Sequence, residues 1–169
     1  QGGLDAVIKI APSVGPFGMD FFIGGSITEQ DEGVPGKQDK EENHEEAVTG
    51  LTLALGPVSV GGQISAESTG NQDVGEVEYY ANNSIGAALN INDNLSISYA
   101  ETRHLTSNIQ NDEDGSDNPT PKTEMTGESF QVAYTLGGVA LKYANTKFTN
   151  PKYTKNTTDE ATVLSLSMR

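Results

Sequence analysis

The sequence predicts an all-β chain folded as a transmembrane antiparallel up-and-down β-barrel. Three observations predict this fold. Nine segments alternate large apolar residues with small or polar ones at period two, and tight turns alternate with long acidic loops between them. No apolar run approaches the ~18 to 20 residues that a membrane-spanning helix requires.

Each of the nine segments places its large side chains at alternate positions, as expected of a strand whose two faces meet different surroundings. The intervening positions hold mainly Ser, Gly, Ala, Thr and Gln. In chain order, the apolar positions are Ile8, Ile10 and Val14; Met19, Phe21, Ile23 and Ile27; Leu51, Leu53 and Leu55; Val58, Val60 and Ile64; Ile85, Ala87, Leu89 and Ile91; Leu95, Ile97 and Tyr99; Phe130, Val132, Tyr134 and Leu136; Val139, Leu141 and Tyr143; and Thr162, Leu164, Leu166 and Met168.

The connections between these strands alternate strictly between short and long. Short turns are predicted at residues 15–18, 56–57, 92–94 and 137–138, where Gly, Pro, Asn and Asp supply the backbone that tight hairpins need. Long loops are predicted at residues 29–46, 68–78, 102–127 and 148–159. An up-and-down meander therefore has all its tight turns at one end and all its long loops at the other.

The net charge of −14, from 24 acidic against 10 basic residues, is concentrated in the long loops. Such an excess of negative charge excludes nucleic acid as a partner, because binding to its phosphate backbone requires cationic side chains that displace counterions. The chain has no Cys, so it has neither disulfides nor thiol chemistry.

The residues at the intervening positions form the second face of each strand, and their composition distinguishes two β architectures. A soluble sandwich or lipocalin-like barrel packs bulky residues inward and carries charge outside. A transmembrane barrel turns large apolar residues to lipid and small polar residues to a water-filled interior. The small, nearly uncharged second face favours the transmembrane barrel. A soluble or surface β-domain, an adhesin or binding module that uses the acidic loops as a contact surface, stays open as the alternative.

The parity of each strand assigns residues to the two sides of the predicted barrel. Phe130, Val132, Leu141, Leu164, Leu166 and Met168 are predicted to face lipid. Lys9, Asp20, Gln63, Gln131 and Lys142 are predicted to line the pore. Because these residues form no substrate-shaped group, we expect passive diffusion of small hydrophilic solutes, with a mild cation preference produced by the acidic loops. Aromatic residues near strand ends predict interfacial girdles: Tyr79, Tyr80, Tyr99, Phe130, Tyr134, Tyr143 and Phe148.

Two short-turn hairpins, at residues 53–60 and 134–143, and the alternating final strand 164–169 resemble the C-terminal part of Gram-negative general porins of the alphaproteobacterial type. The resemblance implies a homotrimeric, 16-stranded channel in the bacterial outer membrane, in contact with membrane lipid and lipopolysaccharide. The family ends in an aromatic residue where this chain stops at Arg169, so we expect one further residue. Since such barrels have an even number of strands, we expect residues 1–169 to be the C-terminal portion of one barrel domain, with its N-terminal strands absent.

Catalysis has little support in the sequence. His44 and His104 have no adjacent nucleophile motif, and His104 near Glu101 is the one weak candidate pair, so we do not expect an enzyme. No cofactor is required. A Ca²⁺ site is the minor expectation, at a carboxylate cluster around Gly115 on a predicted loop. A diffuse acidic loop that attracts divalent ions and bridges lipid phosphates is the alternative, and residues 39–46 have the same status. The candidate Ca²⁺ ligands are Asp112, Glu113, Asp114 and Asp117.

Overall fold

The computed structural model describes residues 2–29, 43–70, 76–108, 120–121 and 123–168. These residues form eleven strands and one 3₁₀ turn, Pro151–Tyr153. The strands are β1 (Gly3–Ile10), β2 (Ser13–Val14), β3 (Phe17–Thr28), β4 (His44–Leu55), β5 (Val58–Ser68), β6 (Val77–Asn90), β7 (Leu95–Asn108), β8 (Thr120–Pro121), β9 (Met125–Leu136), β10 (Val139–Thr149) and β11 (Thr158–Met168). In the described part of the chain, no helix has the length and apolar character needed to cross a membrane.

All eleven strands belong to one antiparallel sheet, in which nine run in chain order as β1-β3-β4-β5-β6-β7-β9-β10-β11. The two short strands lie off this path, β2 beside β3 and β8 beside β7. The predicted all-β, up-and-down arrangement is therefore confirmed, and each of the nine predicted strands has its counterpart. Within the described residues the sheet is open, with β1 and β11 at its edges, so closure into a barrel stays a prediction.

The four short turns lie together at one end of the sheet, as the alternation of loops predicts. Gly15, Gly56 and Gly137 each adopt a left-handed backbone with φ of 60°, 64° and 59°, a conformation that glycine adopts without a steric cost. In the remaining turn the Asn92 Oδ1 accepts hydrogen bonds from the backbone N–H groups of Asn94 and Leu95, at 2.9 and 3.0 Å. Local turn chemistry thus closes every hairpin at this end.

At the opposite end the strands extend into segments that the sequence assigns to loops. The β10–β11 ladder continues through Lys147↔Glu160 to Thr149↔Thr158, so the predicted 148–159 loop is shorter than expected. Asn150 closes it, because its Nδ2 donates to the Glu124 carbonyl at 3.0 Å and its Oδ1 accepts from the Asn156 N–H at 3.0 Å. Backbone pairing does not depend on side-chain polarity, so polar residues continue strands past the apolar stretch.

The sheet has no hydrophobic core in the described part of the chain. No described hydrophobic residue is buried, and the buried polar residues are Thr106 and Ser107. Leu164 and Leu166 expose 69% and 64% of their surface. The large apolar side chains thus stand on a single layer with nothing packed over them, which is unusual for a sheet of this size in water.

Candidate functional site: the polar face of the sheet

The register of the strands sorts the predicted residues onto two faces. Directly paired residues share a face, and successive residues alternate. Following the pairs from β1 to β11 places Lys9, Asp20, Gln63, Gln131 and Lys142 on one face. It places Phe130, Val132, Leu141, Leu164, Leu166 and Met168 on the other. We name these the polar face and the apolar face; that they meet water and lipid stays a prediction.

Glycines distinguish the two faces by what lies over them. On the polar face, a Cβ added to Gly50 would lie 2.6 Å from the Phe22 ring, and one added to Gly127 would lie 2.7 Å from the Phe148 ring. On the apolar face, a Cβ added to Gly62 meets only the Ser84 carbonyl oxygen, at 3.2 Å. Gly50 and Gly127 therefore mark places on the polar face where a neighbouring aromatic ring approaches the backbone closely.

Two aromatic residues of the predicted girdles lie on the polar face instead. Tyr80 pairs with Glu67 and Thr106, and Phe148 pairs with Gly127 and Asp159. The seven residues therefore cannot all belong to girdles on one face, because Tyr80 and Phe148 lie on the polar face and Phe130 lies on the apolar face. The remaining five, Tyr79, Tyr99, Phe130, Tyr134 and Tyr143, lie on the apolar face.

The predicted pore-lining charges are partly neutralised by each other. The Lys9 ammonium lies 2.7 Å from the Asp20 carboxylate, with side-chain exposures of 61% and 41%. An ion pair this exposed contributes less than about 1 kcal/mol to stability, but the two charges on the polar face neutralise each other. Lys142 pairs with Ala133 and Ser165 in the sheet and forms no ion pair with any described residue.

A cluster of His44, Glu46 and Glu67 lies on the polar face at the long-loop end. Nε2 of His44 is 3.4 Å from Oε1 of Glu46 and 3.3 Å from Oε1 of Glu67. Ser26 donates a hydrogen bond to the other oxygen of Glu46, Oε2, at 3.2 Å. The two glutamates and Asp5 line a cavity of about 390 Å³. This end of the polar face is therefore strongly acidic.

The second histidine is hydrogen-bonded to two uncharged side chains beside that cavity. Nδ1 of His104 lies 2.6 Å from the Asn82 side-chain oxygen, and Nε2 lies 3.2 Å from the Thr102 hydroxyl. The candidate pair of His104 and Glu101 does not form, because Glu101 is on the apolar face and accepts hydrogen bonds from Arg103. The weak catalytic candidate is thus corrected: parity separates two residues that are close in sequence.

The apolar face becomes polar toward the long-loop end of β7 and β9–β11, which the sequence interpretation missed. Glu101, Glu128, Lys147 and Glu160 follow the large apolar residues on that face. A groove of about 730 Å³ lies on the apolar face around Gly62, and Glu101 is among the residues that line it. Most of the large apolar residues of these strands therefore lie in their short-turn half, and Leu105 of β7 lies on the same face in the long-loop half.

One loop residue has a shifted acidity. Burial raises the pKa of the Tyr153 phenol, and the neighbouring Tyr80 phenol raises it further. Tyr153 therefore adds no charge to the long-loop end at neutral pH.

The four predicted Ca²⁺ ligands lie outside the described residues: Asp112, Glu113, Asp114 and Asp117. The sequence interpretation missed the His44 cluster, whose third member comes from a different strand. Comparison with known proteins identifies no relative, since no family model, no curated protein and no solved structure matches the chain.

Proposed function

We propose that this chain forms part of the wall of a porin-type β-barrel channel in the outer membrane of a Gram-negative bacterium, through which small hydrophilic solutes and ions diffuse passively. The observation that carries the proposal is the regular nine-strand sheet without a buried hydrophobic residue among those described, its large aliphatic side chains gathered mainly on one face. A bilayer is the surrounding in which such a face is stable without a second layer.

Energetics favour lipid over water around the apolar face. Each large aliphatic side chain gains about 1.5–3 kcal/mol when it moves from water to an apolar environment. More than twenty large hydrophobic residues are exposed in the described sheet. In lipid every backbone group must also be paired, so the open edges of β1 and β11 require partner strands. We propose that these complete a 16-stranded barrel, assembled as a homotrimer in contact with lipid and lipopolysaccharide.

The polar face supplies the water-filled path in this proposal. Its glycine, serine and alanine residues leave space, and the titratable groups of its described part form no arrangement of nucleophile and base. We therefore propose a channel and no enzymatic activity. Glu46 and Glu67 at the long-loop end attract cations, while Lys9 is neutralised by Asp20. We therefore propose a mild cation preference.

A soluble or surface β-domain that binds partners through its acidic loops is the alternative. The full-length protein decides between the two when it is extracted from cells and reconstituted in planar bilayers. The channel predicts that extraction requires detergent, that unheated samples migrate as trimers, and that stepwise ohmic conductance follows reconstitution. Release into buffer without detergent, or bilayers that stay silent, would contradict the channel and favour the binding domain.

A further inference from the structure

We propose that His44, Glu46 and Glu67 form a site for one transition-metal dication of the Zn²⁺ type, at the long-loop end of the polar face. The proposal does not depend on the channel, because it concerns three side chains on two paired strands. It is distinct from the Ca²⁺ site expected at residues 112–117.

The fold brings the three ligands together through the β4–β5 hairpin. His44 and Glu46 are two residues apart on β4, so their side chains point to the same face. Glu67 on β5 is the direct cross-strand partner of Glu46. One ligand atom from each residue lies within 4.8 Å of the other two.

Two of the three distances between the ligand atoms fit a tetrahedral metal site. Ligands about 2.0–2.2 Å from a tetrahedral zinc ion are separated from one another by about 3.3–3.6 Å. His44 Nε2 lies 3.4 and 3.3 Å from the two glutamate oxygens. Three protein ligands leave the fourth coordination position for water or another ligand.

The imidazole nitrogen provides an observation independent of the negative charge. Although 33% of the His44 side chain is exposed, its Nε2 atom is buried and has no hydrogen-bond partner among the described residues. A buried polar atom is normally paired. Nε2 lies within ion-pair distance of two carboxylate oxygens but forms a hydrogen bond with neither, and a cation held by all three groups would satisfy it.

A hydrogen bond from outside the cluster orients Glu46, one of the three proposed metal ligands. Glu46 uses Oε2 to accept the Ser26 hydroxyl, at 3.2 Å, which leaves Oε1 toward His44. Such hydrogen bonds fix the orientation of the side chains that coordinate a metal, and they raise its affinity. In the described residues, neither glutamate forms an ion pair with Lys or Arg.

The ligand set selects the class of ion. Ca²⁺ and Mg²⁺ take oxygen ligands, whereas imidazole suits Zn²⁺ and its neighbours among the transition metals. The site therefore prefers Zn²⁺ to Ca²⁺ and Mg²⁺.

The test is a Zn²⁺ titration of the full-length protein in detergent, prepared without a polyhistidine tag and first freed of metal by a chelator. A chromophoric zinc chelator reports the affinity by competition, in the presence of excess Ca²⁺. Loss of an outer partner alone lowers metal affinity by about 10- to 100-fold. We therefore expect His44→Gln and Glu67→Gln each to weaken one-to-one binding by at least about 10-fold, and Ser26→Ala by about 10-fold.

His104→Gln is the matched control, because His104 is the other histidine of the chain and lies on the same face. It should leave the Zn²⁺ affinity unchanged. Unchanged binding in His44→Gln, or displacement of Zn²⁺ by an equal concentration of Ca²⁺, would overturn the proposal. Co²⁺ bound to the native protein supplies a second measurement that needs no variant: intense tetrahedral absorption bands support the site, and the pale spectrum of hydrated Co²⁺ refutes it.

Discussion

Leu166→Arg tests whether the apolar face meets lipid. Leu166 lies on β11 between Leu164 and Met168 on the same face, and 64% of its surface is exposed. Because little protein covers it, substitution in water should change the free energy of unfolding by no more than about 0.5 kcal/mol. In a bilayer, arginine on the lipid side of a barrel costs about 2–4 kcal/mol near the midplane. The two surroundings therefore predict effects that differ severalfold.

Ser167→Arg is the matched control, since Ser167 is the next residue along β11 and shares the polar face with Ala140. Denaturant titration of the full-length protein in lipid vesicles measures both variants. We expect Leu166→Arg to lower the free energy of unfolding by about 2 kcal/mol, or about 30-fold in the equilibrium constant. Ser167→Arg should lower it by less than about 0.5 kcal/mol. Equal effects of the two variants, or a larger effect of Ser167→Arg, would refute the assignment of the faces.

Three further predictions concern the pore, the sheet and the loops. Lys142→Glu should shift the reversal potential in a salt gradient toward cation preference, whereas Lys147→Glu on the other face should not; equal shifts would contradict the pore assignment. Gly50→Ala should lower the free energy of unfolding by about 1–3 kcal/mol, because the alanine Cβ would lie 2.6 Å from the Phe22 ring. Gly18→Ala, where the added Cβ meets Ala54 at 3.5 Å, should cost less, and the opposite order in calorimetry would contradict the crowding. Added Ca²⁺ should raise the melting temperature of the metal-free native protein, and should not raise that of a variant in which four carboxylates are replaced by amides; an unchanged native melting temperature argues against the Ca²⁺ prediction for Asp112, Glu113, Asp114 and Asp117.

The strands and short turns could be predicted because their signals are local. Period-two alternation appears within a single strand, and Gly15, Gly56 and Gly137 occupy the backbone positions that need glycine. The strand order of a meander then follows from the loop lengths. Closure of the sheet is not local, because the partners of β1 and β11 depend on residues far from either edge.

The long-loop end was harder to predict, because polarity was taken as the end of each strand. His44 and Glu46 therefore fell into a predicted loop, although both lie in β4. The tight turn pairs Leu55 with Val58 and thereby fixes the register of the whole hairpin, including Glu46↔Glu67. The pairing was implicit in the sequence, and counting back from the turn would have found the three-residue cluster.

Side-chain contacts over glycine were not predictable from the sequence. The position of Phe148 over Gly127 depends on the register between β9 and β10 beyond the apolar stretch. Its aromatic ring near a strand end was typical of a girdle residue, and only the extended ladder places it on the polar face.

Spin labels on β9 test the central claim most directly. Residues 1–169 contain no cysteine, so a cysteine introduced there is the only labelled one once any cysteine elsewhere in the full-length protein is replaced by serine. Single cysteines at Gln131, Val132 and Ala133 carry the label in the full-length protein, reconstituted in lipid. Oxygen, which concentrates in lipid, should reach the label most at 132, and a water-soluble nickel complex should reach it most at 131 and 133. Nickel access at 132 equal to that at its neighbours, or a label at 132 hidden from both reagents, would contradict a sheet with lipid on its apolar face and water on its polar face.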